Sequence, residues 1–208
     1  KGMLWYQGES NQGAPQTYAA MLQAMVEAWR TQSRSQFPVV IMQLPGYMAK
    51  HDKPIESGWT RIRHQQYLAS QNISRAALAP TLDTGEYNDI HPQDKKTAGH
   101  RAADQMSRLA YGDNSSQTEV PTPLSARIVD GKAIITFAGT AGELKVKGDK
   151  LHDFAVLVNG KYQWAEANIT GPATIAVSLP PSTTATTVRY CWDDYPQPSL
   201  YNAAGTPA

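Results

Sequence analysis

The spacing of apolar and polar positions changes once along the chain, near Gly112. Before that point it alternates between strand-like and helix-like. Gly2-Met3-Leu4-Trp5-Tyr6 is an apolar run that predicts a strand, and the polar Gln7-Gly8-Glu9-Ser10-Asn11 directly after it predicts a loop. From Tyr18 onward, Met21, Leu22, Met25, Val26 and Trp29 recur at three- and four-residue spacing, which predicts a helix burying that face. Val39-Val40-Ile41-Met42-Gln43-Leu44 is nearly all apolar and is stopped by Pro45-Gly46, as expected for a strand covered on both sides. Trp59 to Gln71 predicts a helix and Ala76 to Leu82 a short buried strand. Gln93 to Tyr111 predicts a helix with Ala98, Ala102, Met106 and Leu109 inward. Strand and helix in regular alternation predict an α/β fold with a parallel sheet flanked by helices.

Beyond Gly112 the polar, proline-marked stretch to Pro123 reads as a linker, and the period then becomes two. Asp130-Gly131 separates the strand candidates Ser125–Val129 and Ala133–Phe137, and Asn159-Gly160 separates Phe154–Val158 from Tyr162–Trp164. Both dipeptides supply the positive φ angles of tight hairpins. Glu143 to Lys147, Thr174 to Leu179 and Thr187 to Trp192 are further strand candidates. The expected organisation is residues 1–112 as one domain, 113–123 as linker and 124–208 as a small antiparallel β-sandwich.

Composition narrows the class without choosing a function. With 208 residues, 41% of them apolar and 18% charged, the chain can bury a sizeable core. Nineteen basic against eighteen acidic residues give a net charge of +1 with no basic run, which points away from nucleic acid and from anionic membranes. The single Cys191 excludes an intrachain disulfide and a cysteine-built metal site.

Two segments could carry chemistry. Asp89-Ile90-His91 lies between a predicted buried strand and a predicted helix, and an imidazole two residues from a carboxylate has the parts of a general base and the group that orients it. The same spacing is common in surface loops and caps, and Asp94 reads as the cap of the helix that follows. Gln7 to Asn11 could merely satisfy backbone groups after its strand, or could donate a carboxamide and a backbone N–H to a developing oxyanion. Ser10 does not read as a nucleophile, because Gly8-Glu9-Ser10-Asn11-Gln12 lacks the second glycine of a nucleophile elbow.

Taken together, Trp5-Tyr6-Gln7-Gly8-Glu9-Ser10-Asn11 and Asp89-Ile90-His91-Pro92, with Lys95 or Lys96 behind, closely resemble the sialate O-acetylesterase family, carbohydrate esterases of the SGNH-hydrolase group. The likeness continues through Trp29-Arg30, Gln43-Leu44, Arg61 to Gln66, Val188 to Trp192 and Leu200-Tyr201-Asn202. It implies that residues 1–112 are the C-terminal part of a three-layer, flavodoxin-like SGNH domain, with His91 as catalytic base and Asp89 as its acidic partner. Many SGNH relatives place that acid three positions before the histidine, where this chain has Asn88, so the orienting group stays open between Asp89 and a backbone carbonyl. Gln7 and Gly8 match the oxyanion hole, while Glu9 and Asn11 support the loop.

The resemblance also implies a nucleophilic serine in a Gly-Gln-Ser-Asn type motif, which does not occur in these residues. The expectation is that a preceding segment, present as a second polypeptide, supplies the serine and packs against Gly2 to Tyr6. The implied substrate is an O-acetylated carbohydrate, sialic acid or a hemicellulose such as xylan or xyloglucan, with Arg61 and Trp59 as candidate contacts and Arg63, Arg75 and Tyr47 as others. No cofactor and no metal are implied, and the location would be periplasmic or secreted. An alternative from another class is a non-catalytic carbohydrate-binding module built on Trp164, Tyr162, Trp192 and Tyr195.

Overall fold

In the computed structural model, which describes residues 1–181 and 187–208, the chain forms two compact units. The first comprises residues 1–48 and 56–114, the second residues 49–55 and 115–208.

The first unit is built on a three-stranded parallel sheet of β1 (Met3–Trp5), β2 (Val39–Met42) and β3 (Ala76–Ala79), with β2 in the middle. Its helices are α1 (Tyr18–Ser33), α2 (Gly58–Asn72) and α3 (Lys95–Tyr111). The uninterrupted apolar run of β2 follows from cover on both faces. Val39 and Ile41 join the cluster of Tyr18, Leu22 and Val26 from α1 with Trp59 and Ile62 from α2. Val40 and Met42 join Ala98 and Ala102 of α3 on the other side. Val39, Val40 and Ile41 have no exposed surface, and burying each contributes roughly 1.5–3 kcal/mol.

Helix α1 buries a narrower stripe than its apolar pattern predicts. Tyr18, Leu22, Val26 and Arg30 face inward, whereas Met21 is 60% and Trp29 44% exposed, which corrects the inward assignment of both. The reason is geometric: residues at a strict spacing of four share one line along the helix, and Met21 and Trp29 lie to its side. Arg30 takes an interior place because its guanidinium donates to Phe37 O and Ser74 O, and burial pulls its pKa down. Helix α2 starts at a capping box in which Ser57 Oγ accepts from Thr60 N.

Apart from one 3-10 turn at Ser116–Thr118, the regular structure described in the second unit is β. Its strands are β4 (Thr122–Val129), β5 (Lys132–Ala138), β6 (Leu144–Val146), β7 (Phe154–Val158), β8 (Lys161–Trp164), β9 (Ala167–Gly171), β10 (Thr174–Ser178), β11 (Val188–Tyr190) and β12 (Leu200–Asn202). They form antiparallel sheets in the orders β4-β5-β10-β9, β11-β7-β8 and β12-β6. Asp130 and Gly131, and likewise Asn159 and Gly160, all have positive φ, the backbone that the two hairpins need. One apolar cluster takes side chains from all three sheets, including Ile135, Phe137, Phe154, Val156, Ile175 and Leu200.

Several features differ from the pattern-based expectation. β4 begins at Thr122, inside the stretch read as linker. β9 and β12 were not anticipated: β9 alternates apolar and polar residues over only Ala167 to Thr170 and pairs with β10, and β12 is three buried residues paired with β6. Residues 49–55, within the first half by sequence, belong to the second unit: Lys50 pairs with Asp153, His51 with the buried Asp193, and the Trp164 indole donates to Asp52 O at 2.7 Å. The resembling residues near the C-terminus also have structural work. The Tyr190 hydroxyl accepts from Ser199 N and Leu200 N, and buried Asn202 donates to Glu119 O and Gly139 O.

Candidate functional site

The nominated catalytic and oxyanion residues Gln7, Gly8, Asp89 and His91 lie in the first unit, on loops that follow the carboxyl ends of β1 and β3, where open α/β sheets place ligands, whereas Trp59 and Arg61 lie on α2. The first loop begins as β1 ends at Trp5. Gly8 makes the turn with φ 150° and ψ −18°, a conformation in which a side chain would be strained. A Cβ there would also lie 2.9 Å from Ile62 Cγ2. After this glycine Glu9–Asn11 form a single 3-10 turn, with Asn11 N donating to Gly8 O at 2.9 Å.

The Gln7 carboxamide donates through Nε2 to Asn11 Oδ1 at 2.7 Å, which fixes its orientation and gives Asn11 a supporting role. The Gln7 carbonyl accepts from the Tyr18 hydroxyl at 2.7 Å and from Gln66 Nε2 at 3.0 Å. Tyr18 in turn accepts from Trp5 Nε1 at 3.1 Å. Burial raises the Tyr18 phenol, and burial followed by the charge of Glu9 raises that of Tyr6. In the sequence Tyr18 marks only the start of a helix, and Gln66 belongs only to a resembling stretch. Neither has a local signature, because each reaches Gln7 from a different helix.

The second loop holds Asp89 and His91. It is anchored at its start by Asp83, whose carboxylate accepts from both terminal nitrogens of Arg101 on α3, at 2.5 and 2.8 Å. Gly85 packs so closely on Gly46 that a Cβ would overlap the Gly46 backbone. Met48 N donates to Tyr87 O, and Gln93 N to Glu86 Oε1. Asp89 Oδ1 accepts from the backbone N–H of His91 at 2.7 Å and lies 3.9 Å from His91 Nδ1. That carboxylate therefore closes the turn, and it stands beyond hydrogen-bonding distance of the ring. The His91 side chain is 88% exposed. Asp94 caps α3 through Thr97 N, a bond that holds its carboxyl below the usual range.

The two loops border common ground. Ile90 and Tyr6 pack against the same apolar cluster, and Lys95, four residues after His91, sits over the Tyr6 ring at 5.1 Å. Trp59 must be corrected as a sugar contact: it is 1% exposed, its indole donates to Pro45 O, and its ring packs on Tyr47. A helix-start aromatic looks surface-like in sequence, but the side chain points down into the α1/α2 cluster. Arg61 lies at the surface and pairs with Glu56 at 3.3 Å. Among the described residues no group of three or more His, Cys, Asp or Glu could hold a metal ion, and no helix is long and apolar enough to cross a membrane.

The chain is similar to known carbohydrate esterases. The sequence model of a family described as carbohydrate esterase, sialic acid-specific acetylesterase matches residues 1–108. The sialate O-acetylesterases of Pongo abelii and Homo sapiens are each 25% identical over 218 aligned positions, covering 94% of this chain and 41% of theirs. The chain thus spans about two fifths of the length of these curated relatives. The crystal structure of a carbohydrate acetylesterase from Xanthomonas citri superposes with a TM-score of 0.88 at 29% identity, over 99% of this chain and 48% of that one.

Proposed function

Given that the chain belongs to the carbohydrate esterase, sialic acid-specific acetylesterase family, we propose that it is the larger part of the acid–base and oxyanion machinery of a serine-type carbohydrate O-acetylesterase. The observation that carries this reading is the Gln7–Asn11 loop: a carboxamide held by Asn11 stands beside a glycine turn, at the end of a parallel strand. In this proposal the parallel sheet belongs to an SGNH three-layer domain, residues 124–208 are an accessory β-sandwich, and the protein acts outside the cytoplasm.

The reaction runs in two acyl transfers. A serine hydroxyl from outside residues 1–208 attacks the acetyl carbonyl while His91 takes its proton, and the oxyanion is held by Gln7 and the Gly8 N–H. Collapse of the tetrahedral intermediate passes the proton from His91 to the departing sugar oxygen and leaves acetyl-serine. Water then attacks with His91 again as base, releasing acetate and restoring the serine. Asp89 serves this reaction by shaping the His91 turn, since its carboxylate binds the His91 backbone.

A carbohydrate-binding role for the second unit has less support. Arg189 covers a face of both Tyr162 and Trp192, at 3.8 and 3.9 Å from the ring centroids, so these rings already have a stacking partner. The test is acetate release by the intact protein from acetylated xylan and from O-acetylated sialic acid, side by side. Release from either substrate, abolished in His91→Ala, is the expected result. No release from any acetylated sugar would sink the assignment.

A further inference from the structure

We propose that Gln66 and Tyr18 are positioning residues for the oxyanion hole: by gripping the carbonyl oxygen of Gln7 they aim the N–H of Gly8 at the acyl oxygen. The inference rests on the esterase reading above and adds the device that orients the backbone donor. It starts from the covalent geometry of the peptide. Gln7 C=O and Gly8 N–H are the two ends of one planar unit, and among the described residues there is no cis peptide bond. The two groups therefore point in opposite directions. Fixing the oxygen fixes the line along which the N–H is presented.

That oxygen is held twice, by the Tyr18 hydroxyl at 2.7 Å and by Gln66 Nε2 at 3.0 Å. Neither donor is free to turn away. Trp5 Nε1 donates into the Tyr18 oxygen, so the hydroxyl hydrogen is left to point at Gln7. The Gln66 amide is fully buried, and its Oε1 accepts from Leu44 N at 2.8 Å. Because only the oxygen can accept that bond, Nε2 must face the carbonyls of Gln7 and Met42. Rotating either side chain out would strand a buried polar group, at a cost of about 1–3 kcal/mol.

Gly8 completes the arrangement. It is buried, and its carbonyl is occupied by Asn11 N. A Cβ at this position would lie 3.2 Å from Gln66 Nε2, which shows how closely the amide underlies the turn. A tie between the ends of β1 and β2 would need Gln66 alone. The second, relayed donor from Tyr18 converges on the same oxygen, and orienting that one peptide is what the pair has in common. A donor already aimed before substrate arrives needs no reorganisation as negative charge develops.

The test uses the intact esterase with p-nitrophenyl acetate. Tyr18→Phe keeps the buried ring and deletes only the hydroxyl; Gln66→Met keeps the volume and deletes the amide. Each is expected to lower kcat about tenfold with KM within about twofold of wild type, because the lost alignment matters in the transition state. Gln66→Glu adds a pH readout beside the kcat-against-KM split, which is the result that a purely structural tie would not give. Its neutral carboxyl can donate to Gln7 O, whereas the ionised form would face two carbonyl oxygens. The ratio of its kcat to that of wild type, each measured at the same pH, should therefore rise as pH falls. Unchanged kcat in both deletion variants, a change confined to KM, or a flat Gln66→Glu ratio would each overturn the inference. If His91→Ala is inactive while these variants are unaffected, only the positioning role fails; if His91→Ala retains full activity, the esterase reading itself fails.

Discussion

The two loops that close the sheet of the first unit are built to different degrees of rigidity. In the Gln7–Asn11 loop the backbone carbonyl of Gln7, its side chain and the Gly8 carbonyl each have partners at 2.7 to 3.0 Å. The loop carrying His91 is secured at its base by Asp83, Gly85 and Glu86, yet the imidazole at its tip is 88% exposed and 3.9 Å from the nearest carboxylate. The contrast fits a division of labour. Dipoles that stabilise a transition state must be fixed beforehand, while a base that moves protons between partners must be reachable from more than one side.

Breaking the exposed loop at its tip gives the largest effect: His91→Ala should lower kcat on p-nitrophenyl acetate by about 10⁴-fold, whereas Gln7→Ala in the rigid loop should cost roughly 10²-fold. Steady-state kinetics of the two purified variants would show it, and equal losses would erase the distinction between the loops. The base of the His91 loop can be tested by stability. Arg101→Met removes the partner of a carboxylate that is only 13% exposed and should destabilise the first unit by about 2–3 kcal/mol in urea unfolding. A change under about 0.5 kcal/mol, within the range of ordinary surface substitutions, would show that Asp83 does not anchor this loop.

The smallest effect concerns the cap behind His91. Thr97 N holds the Asp94 carboxyl below its ordinary pKa, so its contribution to stability is present above that ordinary value and is lost as pH falls through the depressed one. Asp94→Ala should therefore lower the melting temperature slightly at neutral pH, and the gap to wild type should close in acid. A gap that is constant across pH would mean that the cap does not depend on charge.

How much of this was legible beforehand depends on the range of the interaction. Asp94 as a cap, the Asp-Gly and Asn-Gly hairpins and the fully buried β2 follow from neighbours a few residues away, and each stands as its local pattern implies. Trp29 and Trp59 show the limit. Both are aromatic residues in amphipathic helices, yet one is 44% exposed and the other 1%, because the difference lies in what packs opposite each helix. Gln66 was still harder to foresee: a polar residue in the middle of a helix reads as solvent-facing until Gln7, Met42 and Leu44 are brought around it.

By itself the order of residues determined the alternation of the first half, the period of two in the second, and the two short polar segments worth watching, since period and turn chemistry are properties of adjacent positions. Only the tertiary structure decided that the Gln7 carbonyl is gripped from two helices, that Asp89 binds the backbone of His91, and that residues 49–55 join the β unit. Hydrogen bonds between distant parts of a chain are set by which burial leaves fewest polar groups unsatisfied, and that is a property of the whole packed molecule.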